Sequence, residues 1–141
     1  MSDERERLLY EFVDVLRNLS RMKSFFVIQG LSLEEFMVLD ELEESGPCVM
    51  RDIATALSIP PSTATGIVDR LVERQYVRRA HSDRDRRRVV VELTPEGRRI
   101  HGRFREKALA QLEESVRHLT NEDLRALLEI VRKIMENSNS H

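Results

Sequence analysis

The sequence predicts a mainly α-helical protein with a small β-wing, a winged helix-turn-helix flanked by long helices at both termini. Three observations carry that reading. Residues 50–73 hold two short helical patterns separated by the breaker run Ser58, Ile59, Pro60, Pro61, which cannot continue a helix. Two strand-like stretches, 76–79 and 88–93, then flank the loop HSDRDRR, with Val89, Val91 and Leu93 alternating against Arg88, Val90 and Glu92 at the period of a half-buried strand. Finally, apolar residues recur at helical spacing before and after this central unit.

Taken in order, residues 4 to 28 form an amphipathic helix with Leu8, Leu9, Phe12, Val15, Leu16, Leu19, Met22, Phe25 and Phe26 on a broad stripe, more than one small core absorbs. A second helix opens at a capping box, Ser32 with Glu35 three residues on. It carries Phe36, Leu39 and Leu42 to a stop at Gly46-Pro47. The third, 50–57, groups Ile53, Ala54 and Leu57 on one face. Pro61 suits the first position of the fourth helix, because its φ is already helical and its missing N–H had no partner there. That helix divides its faces: Ala64, Ile67, Val68 and Leu71 at burying intervals, and short hydroxyls at Ser62, Thr63 and Thr65 near its start. A recognition helix needs this division to enter a major groove about 12 Å wide. After the hairpin, Thr94-Pro95 opens a helix over 95–118 with Ile100, Phe104, Leu109, Leu112, Val116 and Leu119 apolar. Thr120 and Asp123 form a second box before a last helix bearing Leu124, Leu127, Leu128, Val131, Ile134 and Met135. The tail ENSNSH is polar and expected to fray.

Bulk properties narrow the class. With 40% hydrophobic and 34% charged residues in 141, the chain has a soluble, helix-rich composition. It lacks a run of about 18 apolar residues and the basic-then-apolar layout of a secretory signal, so cytoplasmic residence without a membrane partner is expected. Cys48 is the single cysteine and cannot form an internal disulfide. The formal net charge of −2 is unevenly spread. Residues 70–107 hold 13 Lys and Arg against 6 Asp and Glu, leaving 10 against 19 elsewhere. A phosphate near the wing responds to charges within about 8 Å at physiological salt, so an acidic whole does not exclude a nucleic-acid partner. Arg84, Arg86 and Arg87 repel one another at a hairpin tip and gain from meeting phosphates or a narrow minor groove.

The run PSTATGIVDRLVER over 61–74, the pattern Asp85-x-Arg87 followed after five residues by LTPEG at 93–97, and LSLEEFMVLDELEESGP over 31–47 together resemble the MarR family of bacterial and archaeal transcription regulators. Two positions depart from the family pattern: Pro60 stands where a capping serine is common, and Gln75 where a helix-ending glycine is common. The resemblance implies an N-terminal dimerisation helix over 1–30, a DNA-binding lobe over 31–97, C-terminal dimerisation helices over 98–136 and a polar tail over 137–141. It implies a homodimer whose two recognition helices meet successive major grooves about 34 Å apart on a palindromic operator of double-stranded DNA. Within the lobe, Arg51, Pro61, Ser62, Thr63, Thr65, Arg70, Arg74, Arg84, Asp85, Arg86 and Arg87 are the DNA-binding candidates, with Asp85 expected to orient the Arg87 guanidinium through a salt bridge. Arg70 also suits an ion pair with Glu73 or the neighbourhood of Asp69, and Arg78, Arg79 and Arg88 either touch phosphate or simply flank the strands. Family members often release DNA when a small aromatic or phenolic effector binds between the lobe and the dimer helices. That implies a pocket drawing on Tyr10, Phe12, Arg21, Phe26, Phe36 and His101.

The function expected is that of a sequence-specific DNA-binding transcriptional regulator, a ligand-responsive repressor; the alternative is a winged-helix adaptor that binds protein without sequence-specific DNA binding. Adaptors of that kind lose the basic wing, so residues 84–88 discriminate. An enzyme is not expected: the sequence shows no His-x-Glu or Cys-x-x-Cys pattern, no glycine-rich phosphate loop, and no nucleophile with a base nearby. Carboxylate pairs such as Glu34-Glu35 and Glu43-Glu44 are placed on helix surfaces. No cofactor or metal is expected, since His81, His101, His118 and His141 lack ligand spacing. Cys48, after a Gly-Pro turn in an apolar setting and far from the first helix, is read as an inert thiol.

Overall fold

Along the chain the order is α1 (Asp3–Arg21), α2 (Leu33–Ser45), α3 (Met50–Leu57), α4 (Pro61–Glu73), β1 (Val77–His81), β2 (Val89–Leu93), α5 (Pro95–Val116) and α6 (Asn121–Ser138). The structure, a computed structural model, describes residues 1–21 and 30–138. Met22, Phe25 and Phe26 of the expected first stripe lie outside the described residues, as does the side chain of Arg21. The chain divides into two units, Met1–Lys107 and Ala108–His141.

In the first unit the lobe forms where local signals place it. Ser32 Oγ accepts from the Glu35 amide at 3.1 Å and Glu35 Oε1 accepts from the Ser32 amide at 3.2 Å, so the capping box satisfies two donors at the α2 N-terminus. Glu35 is nonetheless buried, a correction to its expected place on a helix surface. Gly46 ends α2 at φ 76°, its amide bonded to the Leu42 carbonyl. Both helices of the helix-turn-helix close on Schellman bonds: Ile59 to Ala54 and Ser58 to Thr55 after α3, Tyr76 to Leu71 and Gln75 to Val72 after α4. The left-handed residues are Ser58 at φ 55° and Gln75 at φ 65°. Gln75 thus holds the conformation that a glycine adopts more cheaply.

The core gathers one face each from α2, α3, α4 and the first half of α5, with the hairpin. Val38, Leu39 and Leu42 of α2, Ile53 and Ala54 of α3, Ala64, Ile67, Val68 and Leu71 of α4, and Ile100 and Phe104 of α5 are buried with Leu31, Val77 and Val91. Full burial of side chains of this size contributes about 1.5–3 kcal/mol each. β1 and β2 pair antiparallel from Val77↔Leu93 to His81↔Val89, one residue later at each start than expected. Arg88 belongs to the turn because its amide bonds the Asp85 carbonyl. The expected alternation on β2 holds at Val91, while Val89 at the open end is exposed. Cys48 exchanges both backbone bonds with Val91, at 3.0 and 2.7 Å, adding a third short partner to the wing.

The wing hands over to α5 through Thr94. Its amide donates to the Tyr76 carbonyl at 3.1 Å, its hydroxyl donates to the Gln75 carbonyl at 2.6 Å, and Oγ1 accepts from the Gly97 amide at 3.0 Å. Gly97 lies so close to this bend that a Cβ there would stand 1.9 Å from the Tyr76 oxygen. α1 presents Leu8, Leu9, Tyr10, Phe12, Val13, Val15, Leu16 and Leu19 exposed.

In the second unit, α6 opens on the Thr120–Asp123 box, with reciprocal bonds of 3.0 and 3.1 Å. It runs on through Asn137 and Ser138, where a frayed tail was expected. Leu109 and Leu112, and on α6 Leu127, Leu128, Ile130, Val131, Ile134 and Met135, are exposed.

Candidate nucleic-acid interface

The start of α4 is built for an anion or a base edge. Pro60 caps it with no side-chain bond and Pro61 has no amide to offer. The first amide bonded back to the cap is that of Ala64, 3.1 Å from the Pro60 carbonyl, so the amides of Ser62 and Thr63 are left to outside acceptors where the macrodipole favours negative charge. Pro61, Ser62, Thr63 and Thr65 are all exposed. Among the described residues the Ser62 and Thr63 hydroxyls have no hydrogen-bond partner in the chain, whereas Thr65 donates to the Pro61 carbonyl at 2.9 Å. Thr65 therefore keeps its acceptor lone pairs and its methyl for a ligand.

Further along the exposed face, Asp69 is paired with Arg79 of β1. The pair ties α4 to the wing and neutralises the Asp69 carboxylate. Arg70 is exposed and, among the described residues, has no ion pair, so the ion pair expected with Glu73 or the neighbourhood of Asp69 does not form. Arg51 is largely exposed beside Asp52, 3.8 Å away.

Arg74 is placed differently. At the end of α4 its Nη1 donates to the Gly30 carbonyl at 2.7 Å and lies 3.7 Å from Glu35, while its guanidinium covers the Tyr76 ring at 4.9 Å. Those bonds clamp the end of α4 to the entry of α2. Nothing in the sequence distinguishes this arginine from its neighbours; the signal was the buried capping glutamate across the lobe.

At the wing tip, Ser82 and Asp85 hold the loop through backbone amides. Ser82 Oγ accepts from the Arg84 amide at 3.3 Å, Asp85 Oδ1 from the Arg87 amide at 3.0 Å, and the Ser82 amide closes the hairpin on the Arg88 carbonyl at 2.9 Å. Asp85 thus engages Arg87 through its main chain and not through its guanidinium, a correction to the expected salt bridge. The reason is reach: an Asx-type bond two residues on is local and satisfies an amide that the turn leaves free. Arg84, Arg86 and Arg87 are exposed and carry no ion pair among the described residues. At the base, Arg78 pairs with Glu92 at 2.7 Å.

Of the effector candidates, the structure brings Phe36 and His101 together. Their rings stack at 5.0 Å and 4°, and Phe36 stacks in turn on Phe104 at 4.3 Å. His101 Nε2 lies 2.8 Å from Asp40 Oδ1. Asp40 and Phe104 were not among the effector candidates read from sequence, where Phe104 stood only as an apolar residue of its helix, although Asp40 follows Phe36 by one helical turn, as Phe104 follows His101. Tyr10 and Phe12 are 67% and 46% exposed. Phe26 and the Arg21 side chain lie outside the described residues. Cys48 is buried, and its thiol is pushed above its ordinary value of 9.0, first by burial and then by the Glu41 and Asp52 carboxylates. Its surroundings are therefore acidic as well as apolar.

A helix-turn-helix with an open hydroxyl-bearing helix start and an arginine-tipped hairpin defines a winged-helix DNA-binding protein. The MarR family profile matches residues 31–89. YfiV of Bacillus subtilis strain 168, an uncharacterized HTH-type transcriptional regulator, is 33% identical over 141 residues, covering 97% of this chain and 88% of YfiV. The solved transcriptional regulator BldR from Sulfolobus solfataricus is 28% identical, with TM-score 0.77 over 97% of this chain and 99% of BldR. Bordetella bronchiseptica BpsR, whose DNA binding is regulated by 6-hydroxynicotinic acid, is 26% identical with TM-score 0.74 over 89% and 98%. The chain belongs to the MarR family. It is a DNA-binding transcriptional regulator and not an enzyme. No helix among the described residues is long and apolar enough to cross a membrane.

Proposed function

We propose that this regulator is a homodimeric repressor that reads an imperfect palindrome and releases it when a small aromatic or phenolic acid binds. The observation that carries the reading is the pairing of an open α4 start, with Ser62 and Thr63 unspent, and a wing tip whose three guanidinium groups, among the described residues, have no intramolecular ion pair. Base edges specify and phosphates position. Ser62, Thr63 and Thr65 take the first role, Arg51, Arg70, Arg84 and Arg86 the second, and Arg87 enters the minor groove, while Arg74 acts through the lobe. Exposed leucines and valines on α1, α5 and α6 support pairing with a second copy, which sets two recognition helices one turn of DNA apart. The stacked Phe36 and His101 offer an aromatic acid a ring face and a polar edge. The regulation of BpsR by 6-hydroxynicotinic acid supports an effector of that class, and the naming of MdtR and NicR as repressors supports the sign of control.

The test is selection of bound fragments from random DNA by the full chain, repeated with hydroxybenzoates and hydroxynicotinates present. An enriched inverted repeat whose half-sites are about one helical turn apart, lost on addition of one acid class, is expected. Enrichment without dyad symmetry would sink the dimeric reading, and enrichment indifferent to every acid would sink the effector.

A further inference from the structure

A cleft of about 380 Å³ opens behind the wing, between the end of α2, the start of α3 and the loop end of the hairpin. It is separate from the Phe36–His101 stack, sharing none of its residues. Its charged lining is divided: Glu41 and Asp52 come from the helices, Asp52 with the Arg51 guanidinium 3.8 Å away, Arg88 and Ser82 come from the hairpin, and Cys48 lies among them. Ser45 Oγ donates to Glu41 at 2.8 Å, which leaves that carboxylate with further acceptor capacity. Among the described residues no three His, Cys, Asp or Glu groups converge to hold a metal ion; the two carboxylates suit charge-assisted hydrogen bonds from an ammonium group. Both carboxylates act on the Cys48 thiol, which they help to keep protonated; the same field favours a positive group in the cleft. Arg88 adds a place for a carboxylate at the opposite side.

We propose that this cleft binds a small molecule of the basic amino-acid class, its ammonium groups on Glu41 and Asp52 and its carboxylate on Arg88. Such a ligand joins the helices to the hairpin. The Ser82 amide and the Arg88 carbonyl close the hairpin at 2.9 Å, so an occupant that holds Arg88 constrains the tip that carries Arg84, Arg86 and Arg87. Occupancy therefore reaches DNA affinity through the wing, a consequence that rests on the DNA-contact reading above; the binding itself does not.

Cys48 is the single cysteine and reports the cleft directly. The full chain is treated with iodoacetamide in the absence of DNA, with L-ornithine, butylamine or butyrate as probes. L-ornithine is expected to slow alkylation saturably, about tenfold at ten times its dissociation constant, with butylamine weaker and butyrate without effect. In the double variant Glu41→Gln/Asp52→Asn the L-ornithine affinity read by calorimetry is expected to fall about tenfold or more, as loss of charged hydrogen bonds implies. In Arg88→Gln it should fall to that of butylamine. An alkylation rate in the native protein that L-ornithine leaves unchanged, or that all three probes slow equally, overturns the proposal without recourse to variants. Saturable protection with unaltered DNA affinity would leave the site standing and locate the fault in the wing reading.

Discussion

Gly97→Ala and Gly102→Ala place the same substitution in the same helix five positions apart, and the structure gives them opposite signs. At Gly97 the new Cβ would stand 1.9 Å from the Tyr76 oxygen and 2.8 Å from its carbonyl carbon. These are backbone atoms, so no side-chain rotation relieves the overlap. The start of α5 must move by more than an ångström, which breaks the Thr94 bonds to Gln75, Tyr76 and the Gly97 amide. Overpacking costs about 1–3 kcal/mol and loss of a cap about 0.5–2 kcal/mol, together roughly 2–5 kcal/mol. At about 4 °C per kcal/mol for a domain near 100 residues, the melting temperature should fall by about 8–20 °C. At Gly102 an added Cβ meets nothing within 4 Å. There alanine removes backbone freedom from the unfolded chain and should stabilise by about 0.5–1 kcal/mol. Thermal and urea unfolding followed by circular dichroism, at fixed protein concentration, measures both. A Gly97→Ala protein within 1 kcal/mol of the parent would show that the bend at Tyr76 is not the constraint described.

Gln75→Gly should stabilise the chain by roughly 0.5–1 kcal/mol, since the left-handed conformation at φ 65° costs a side-chain-bearing residue about 1–2 kcal/mol and glycine returns part of that in entropy; a loss in urea unfolding would refute it. At the wing, Arg87→Ala should weaken operator binding by about 1–3 kcal/mol if the side chain reads a groove. Arg84→Ala and Arg86→Ala should each flatten the salt dependence of log Kobs by about one if they neutralise phosphates, and parallel salt plots would exclude them from the interface. The raised Cys48 thiol makes the folded state hold its proton longer than the unfolded chain. Its contribution is present below pH 9.0 and is lost as pH rises through the higher folded value. Above pH 9.0 the parent should lose stability faster than Cys48→Ala, and superimposable pH profiles would count against the buried acidic setting. Deleting residues 1–20 should remove the exposed α1 leucines from any partner and leave a monomer or aggregate by sedimentation, with little operator affinity; a soluble truncated dimer would contradict the proposed assembly.

Helix boundaries were legible wherever the signal was local. The boxes at Ser32–Glu35 and Thr120–Asp123 form with the predicted reciprocal bonds, and Pro61 begins α4. Each of these depends on residues three or four apart, whose spacing a helix converts directly into contact. The buried stripe of α4 follows for the same reason. Partner choice was not legible. Arg74 reads in sequence like any basic residue at the end of a recognition helix, yet it spans to Gly30, 44 positions away, because packing sets the end of α4 beside the start of α2. Asp69 has Arg70 beside it on its own helix but pairs with Arg79, and Asp85 spends its carboxylate on an amide where a guanidinium was expected.

By itself the sequence determined which segments coil, where they stop, and that a basic hairpin follows a hydroxyl-bearing helix, since backbone propensity, capping and periodicity act over one or two turns. Tertiary structure alone decided which arginines remain free for an outside phosphate. It also closed the bend at Tyr76 so tightly that position 97 admits no side chain, set His101 against Phe36 and, across 61 positions of chain, against Asp40, and opened the cleft at Cys48. Charge and size are carried by the residue, but a partner is a matter of distance, and distance exists only after the elements pack.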